Sequence, residues 1–402
     1  MKQDFSKISG AIDSSKADML KAMSGMISIK AVSAKSGGKG ESERAMYLES
    51  MLGSWGIPAK RYSYRDDTGT ERPSLVARIG ENRRTIWIVA HIDTVSEGDR
   101  SLWNTDPFKA SIDQDRVYGR GTNDDGQAVI SGMYAMKALK DSGSALKYNY
   151  GLVLAADEEE GSVYGMQKLM HEDIFSRDDM FVVPDWCTPD GSAIEVGEKG
   201  MLWLRITVDG KQAHASTPAE GKNAFRHMAR FLVRVDELLH RKYTKQNPLF
   251  RPEYSTFEMT KHEKNVDSIN ILPGKDVAYI DSRVLPEYSL DEVIGDVRSV
   301  ASSDEFKEVK IAVDIVNRED PAPVTSGDAE IVRMLAGALE DLRGTKASLT
   351  GIGGGTCAAF PRKAGMQAAT WMTGEEVAHR PNEYAKVSDM VNDAKVLAYL
   401  FI

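Results

Sequence analysis

Three apolar runs of strand length constrain the fold more than any other feature of this sequence: TIWIVA at 85–90, YGLVLAA at 150–156 and MFVV at 180–183. Runs without polar alternation belong to strands buried on both faces, the usual condition of a parallel sheet. Between the first two lies 128–139, apolar at helical spacing. Strands alternating with helices imply βαβ units and a mostly parallel sheet flanked by helices. Helical patterns at 42–55 and 329–342, with a late strand at 368–372, extend the same layer.

The middle of the chain has a different rhythm. A strand pattern at 202–208 is followed by a helix at 224–240, strands at 266–272 and 277–284, a helix at 290–301 and a strand at 309–316. The order β-α-β-β-α-β is the ferredoxin-like split arrangement, one sheet with two helices on a face. At 402 residues the chain exceeds a single core. The expected fold is therefore α/β, with a first domain formed by 1–199 and 319–402 and an inserted α+β domain at 200–318.

Ionisable residues cluster just beyond the apolar runs. His91 and Asp93 follow the first, Glu158 and Glu159 the second, and Asp185 the third. Ligands of open parallel sheets bind outside the carboxyl ends of the strands, so these groups aim at one crevice. Asp124, in YGRGTNDDGQ, precedes a helix expected to start near Gln127. Singly, each has an ordinary explanation: a helix N-cap, a surface histidine, a solvated acidic turn. Together, His and carboxylates suit zinc, cobalt or manganese better than calcium.

The segments AHIDTV, WNTDPF, YGRGTNDDG, ADEEEGS, VPDW with GEKG, GKQAHASTP, SINILPG, DSRVLP, GGGT and AHRPNEY occur in that order. They resemble the zinc peptidases and deacylases that include aminoacylase, acetylornithine deacetylase, succinyl-diaminopimelate desuccinylase, glutamate carboxypeptidase and bacterial dipeptidases. The resemblance implies a zinc-exopeptidase-like catalytic domain with an inserted lid or dimerisation domain. It makes Asp124 a carboxylate bridging two Zn2+ ions, which Co2+ or Mn2+ could replace. His91 and Asp185 would complete one ion's ligands, Glu159 and His379 the other's. Glu158 would be the general base toward a metal-activated water, and Asp93 would orient the ligand histidine. If 158–159 is extended, the two glutamates point to opposite sides.

From the inserted domain the resemblance brings His214 as an oxyanion donor, acting across subunits in dimeric members. Arg283 would clamp a substrate carboxylate, while Asn270 and Gly354, within Gly353–Gly355, would complete the substrate contacts. It also implies a cis peptide at Asp124-Asp125. One departure stands out: many members carry Lys shortly after the bridging Asp, where this chain has Asp125, Gly126 and Gln127.

The substrate expected is a small peptide or an N-acyl amino acid, with carboxypeptidase or dipeptidase activity ahead of deacylation. A binding protein without turnover would have lost a ligand or the base, and none is missing. GIGGGT lacks the Lys-Ser/Thr pair of a phosphate loop. A net charge of -9 and the absence of a Lys/Arg block exclude nucleic acid as an expected partner. No apolar run approaches the ~20 residues of a membrane span. Phe5, Ile8, Ile12 and Leu20 suit an amphipathic helix rather than an export signal. Two cysteines, Cys187 and Cys357, fit a reducing cytoplasm and ordinary packing. Dimeric members of the resembled family pair through a short insertion and monomeric ones carry a larger lid, so the resemblance implies a two-fold homodimer here. His227, His240, His171 and His262 are assigned no role.

Overall fold

The structure is a computed structural model and describes residues 2–402. Two compact units emerge: 1–196 with 325–349 and 356–402, and 197–324 with 350–355.

The first unit is built on an eight-stranded sheet. Its strands run in the order Ala59–Arg65, Glu71–Ile79, Asn149–Ala155, Thr85–His91, Met180–Thr188, Gln367–Thr373, Ala193–Glu198 and Ser348–Ile352. Thr85–His91 lies between two parallel partners, Asn149–Ala155 and Met180–Thr188, and Gln367–Thr373 continues the parallel core. All seven residues of Thr85–His91 and of Asn149–Ala155 are buried, which is why those runs carry no polar alternation. The parallel register sets His91 opposite Ala155, so both strands deliver their following turns to one edge.

Helix Gln127–Ser142 crosses between them and is buried along most of its length. It packs against Lys2–Ser14 and Val387–Tyr399 and ends on Gly143 in the left-handed region (φ 63). The antiparallel pair Ala59–Arg65 and Glu71–Ile79 extends one edge of the sheet. Among the described residues, no helix is long and apolar enough to cross a membrane.

The second unit carries an antiparallel sheet in the order Thr256–His262, Lys275–Val284, Gly200–Asp209, Lys310–Glu319. Leu202, Leu204, Ile206 and Val208 alternate onto one face and meet Phe231, Val235 and Leu239 of helix Ala224–Lys242 and Val293 and Val297 of helix Leu290–Ala301. Side chains of Asn223 and Ser289 cap these helices, accepting from Arg226 N and Asp291 N.

One strand differs from the sequence expectation. The segment 266–272 is largely a loop that supplies only Ile271–Leu272, paired with Ala213–His214; the edge strand is Thr256–His262. Only Phe257 of that strand is fully buried, so its solvent-facing polar residues disguise it. Residues 350–355 join this unit through a bridge between Phe250 and Gly351.

Candidate metal centre

Five of the side chains singled out by sequence converge in the first unit. His91 closes its strand, Asp124 lies in the irregular turn Thr122–Gly126, and Glu159 lies in the turn after Asn149–Ala155. Asp185 sits inside its strand rather than after it, because Met180–Thr188 runs on past Pro184. His379 follows the late strand with φ 60.

Asp124 joins two histidines. Its Oδ1 is 2.7 Å from His91 Nε2, and its Oδ2 is 2.9 Å from His379 Nε2. His91 Nε2 is also 3.6 Å from Asp185 Oδ1, and His379 Nε2 is 3.1 Å from Glu159 Oε2. The peptide Asp124-Asp125 is cis, as the resemblance implies.

Asp93 adjoins both the histidine and the glutamate turn. His91 Nδ1 lies 3.1 Å from the Asp93 carbonyl and 3.6 Å from its carboxylate. The carboxylate oxygens also accept from Glu158 N (3.0 Å) and Glu159 N (3.1 Å), fixing the turn that carries both glutamates. That turn, Glu158–Glu160, is a 3-10 helix and not extended chain. At three residues per turn, successive side chains diverge by roughly 120°, which separates Glu158 from Glu159 without a strand.

Burial dominates the electrostatics. It pushes the Glu158 carboxyl well above the ordinary range, and Asp185, Glu159 and Asp93 add to the shift. Burial and Asp124 push Glu159 up to about 7. Burial also opposes the charge on Asp124, yet the two imidazoles hold that carboxyl well below the usual range. Hydrogen bonds to Asp124 and Glu159 push His379 up to about 10.

Sequence reasoning passed over Asp125. It is buried, its Oδ2 accepts from His91 N at 3.1 Å, and its Oδ1 has no hydrogen-bond partner. Ligand atoms of His91, Asp125 and Asp185 lie within 4.8 Å of one another, as do those of His91, Asp124 and Glu159. Buried carboxyls that disfavour one another's charge, interleaved with imidazoles, form a donor set suited to a divalent cation. The doubled Asp in TNDDG was the available signal.

The other expected residues lie in the second unit. His214 is exposed, and its Nδ1 accepts from Ser216 N (3.1 Å), which leaves Nε2 as the donor. Arg283 is held by Asp281 through Nε (2.8 Å) and Nη2 (3.0 Å), and Nη1 donates to Gly353 O (3.0 Å). Asn270 is exposed, its carbonyl accepting from Ala215 N. A Cβ at Gly354 would meet nothing within 4 Å, so crowding does not require glycine there.

Of the residues assigned no role, His262 pairs with buried Asp276 at 2.9 Å, and the His227 ring packs against Phe306. Cys187 and Cys357 are buried free thiols.

Comparison with known proteins bears on this centre. An uncharacterised metallohydrolase of Methanocaldococcus jannaschii is 37% identical over 400 residues, covering 94% of this chain and 97% of that one. A succinyl-diaminopimelate desuccinylase of Rickettsia massiliae is 23% identical over 370 residues, 91% of this chain and 94% of the relative. The M20 family metallo-carboxypeptidase of Sulfolobus solfataricus superposes with a TM-score of 0.77 at 21% identity, covering 95% of this chain and 98% of the other. The pattern of peptidase family M20/M25/M40 matches residues 87–402, and the chain belongs to that family of metal-dependent hydrolases.

Proposed function

We propose that this protein hydrolyses an amide bond of a small peptide, as a carboxypeptidase or dipeptidase, with two divalent ions held by five side chains. Asp124 is the shared ligand, His91 and Asp185 serve one ion, and Glu159 and His379 serve the other. The observation that carries this reading is the division of Asp124, one oxygen toward each histidine. Zn2+ fits the donors best, with Co2+ and Mn2+ as substitutes. Bound there, the ions would polarise the scissile carbonyl and lower the pKa of water.

Glu158 is the proton carrier. Desolvation and the neighbouring carboxylates raise its affinity for a proton, so the ionised carboxylate is a stronger base toward the attacking water and can then deliver that proton to the leaving nitrogen. His214, with Nε2 as donor, would stabilise the developing oxyanion. Arg283 is already shaped by Asp281 and Gly353 O, and its remaining N–H groups would receive a substrate carboxylate, with Asn270 and Gly354 beside it.

A second reading, N-acyl-amino-acid deacylation, draws on the desuccinylase relative. Both reactions release an amino acid, so a screen of dipeptides against N-acetyl and N-succinyl amino acids separates them. Glu158→Gln should retain the metal content measured by elemental analysis while losing ~10²–10⁴-fold in turnover. Loss of metal in that variant would mean that Glu158 and Glu159 had been assigned in reverse.

The second unit is proposed as the interface of a homodimer. Lys310–Glu319 is an edge strand of its sheet, and Val316 on it is 52% exposed. A sedimentation mass equal to one 44.3 kDa chain would refute it. The buried free thiols favour a cytoplasmic setting.

A further inference from the structure

Behind Asp124 lies a second carboxylate that the reaction does not use. Glu383, in AHRPNEY, is fully buried. Its Oε1 accepts from the backbone N–H groups of Gly121 (3.1 Å), Asn123 (2.9 Å) and Asp124 (3.1 Å). Its Oε2 meets Arg120 Nη1 at 2.5 Å. The arrangement is set by register. Tyr384–Lys386 pairs antiparallel with Arg116–Tyr118, Tyr384 opposite Tyr118, and Gly119 N then donates to Glu383 O at 2.9 Å. Glu383 thereby holds Gly119, Arg120, Gly121, Asn123 and Asp124.

Neighbouring groups reinforce the pin. The Arg120 guanidinium lies over the Trp103 ring, 5.3 Å from its centroid, and Arg120 N donates to Pro107 O. Asn382, next to Glu383, accepts from Asn104 N and donates to Leu102 O. The segments WNTDPF, YGRGTNDDG and AHRPNEY are thus cross-linked by two adjacent side chains. His379 lies four residues before Glu383, so the pin ties the segment that carries His379 to the Asp124 turn.

We propose that Glu383 is a positioning residue that holds the Asp124 turn in its metal-binding shape, a role resting on the reading of Asp124 and His379 as ligands. A carboxylate is required because it can receive three N–H groups and a guanidinium at once. An amide at this position turns an NH2 group toward donors and breaks part of the set.

The test is Co2+ titration of chelator-stripped wild type and Glu383→Gln, followed by calorimetry and by the visible absorption of bound Co2+. Glu383→Gln should bind Co2+ ~10–100-fold more weakly, the range usual for loss of a group that orients metal ligands, with an altered spectrum. A purely structural role would lower the melting temperature of the metal-free protein but leave affinity and spectrum unchanged, and that result overturns the proposal. Arg120→Lys keeps the charge and breaks the close pairing, so it should shift affinity the same way; unchanged affinity there overturns the proposal even if Glu383→Gln fails to fold. Failure of the wild type itself to bind Co2+ would instead remove the ligand assignment on which the role depends.

Discussion

Gly126 offers a sharp test of how the Asp124 turn is packed. Its torsions, φ -61 and ψ -35, are helical, so alanine fits the backbone and should gain up to ~1 kcal/mol of helix propensity. Space is the obstacle. A Cβ at this position would lie 2.3 Å from Gly121 O, 2.8 Å from Met26 Cε and 3.0 Å from Met23 Sδ. The methionine ends can swing away. The carbonyl cannot, because Gly121 N is bound to Glu383 and Gly126 N itself donates to Gly121 O at 3.0 Å. Overpacking of this kind costs about 1–3 kcal/mol, so after a propensity gain of ~1 kcal/mol Gly126→Ala should be destabilised by up to roughly 2 kcal/mol. At about 2–4 °C per kcal/mol for large domains, the melting temperature should fall by up to ~8 °C.

Gly337 supplies the control. It lies in helix Glu330–Arg343, and a Cβ there meets nothing within 4 Å, so Gly337→Ala should gain about 0.4–1 kcal/mol. Thermal unfolding followed by circular dichroism compares the two variants directly. Equal stabilisation of both would refute the packing argument.

Two further substitutions probe buried charge. Asp389 has its Oδ2 buried without a hydrogen-bond partner, and burial and Asp393 push its pKa from 3.8 up to about 6. The folded state therefore binds this proton more tightly than the unfolded chain, and the group costs stability as pH rises from 3.8 through 6. Asp389→Asn should raise the melting temperature relative to wild type at pH 7, with the difference shrinking toward pH 4; a difference independent of pH would contradict this. Arg72, fully buried, contacts Glu41 (2.7 Å), Asp157 (3.1 Å), Asp66 (3.5 Å) and Asp93 (3.7 Å). Arg72→Met should cost about 3–5 kcal/mol in urea unfolding by leaving buried carboxylates unpaired, and a loss under 1 kcal/mol would show that those carboxylates take up protons at little cost.

The sequence was most legible where one physical signal dominated. Strands buried on both faces are apolar throughout, so Thr85–His91 and Asn149–Ala155 stood out. Ala59–Arg65 is half-exposed and Thr256–His262 is an edge strand, and their polar residues hid both. The helical turn at Glu158–Glu160 was equally invisible, since Asp93, beyond the end of the neighbouring strand, imposes it through two backbone hydrogen bonds.

The site divides along the same line. His91, Asp124, Glu159, Asp185 and His379 could be named because a chemically distinctive residue at a strand end or in a known motif advertises itself. Glu383 and Arg72 could not, since a buried acid or arginine is defined by what it touches, and those contacts come from segments far apart in the chain. Glu383 lies 259 residues from Asp124 along the chain yet accepts its N–H. Its energetic importance follows from burial: in water an N–H exchanges partners freely, whereas inside the protein a lost acceptor exposes the full desolvation cost of each group. A carboxylate that satisfies three such groups and one guanidinium therefore fixes the turn more firmly than any local preference of TNDDG could. The ligand motif names the chemistry, and the distant acid decides whether its geometry holds.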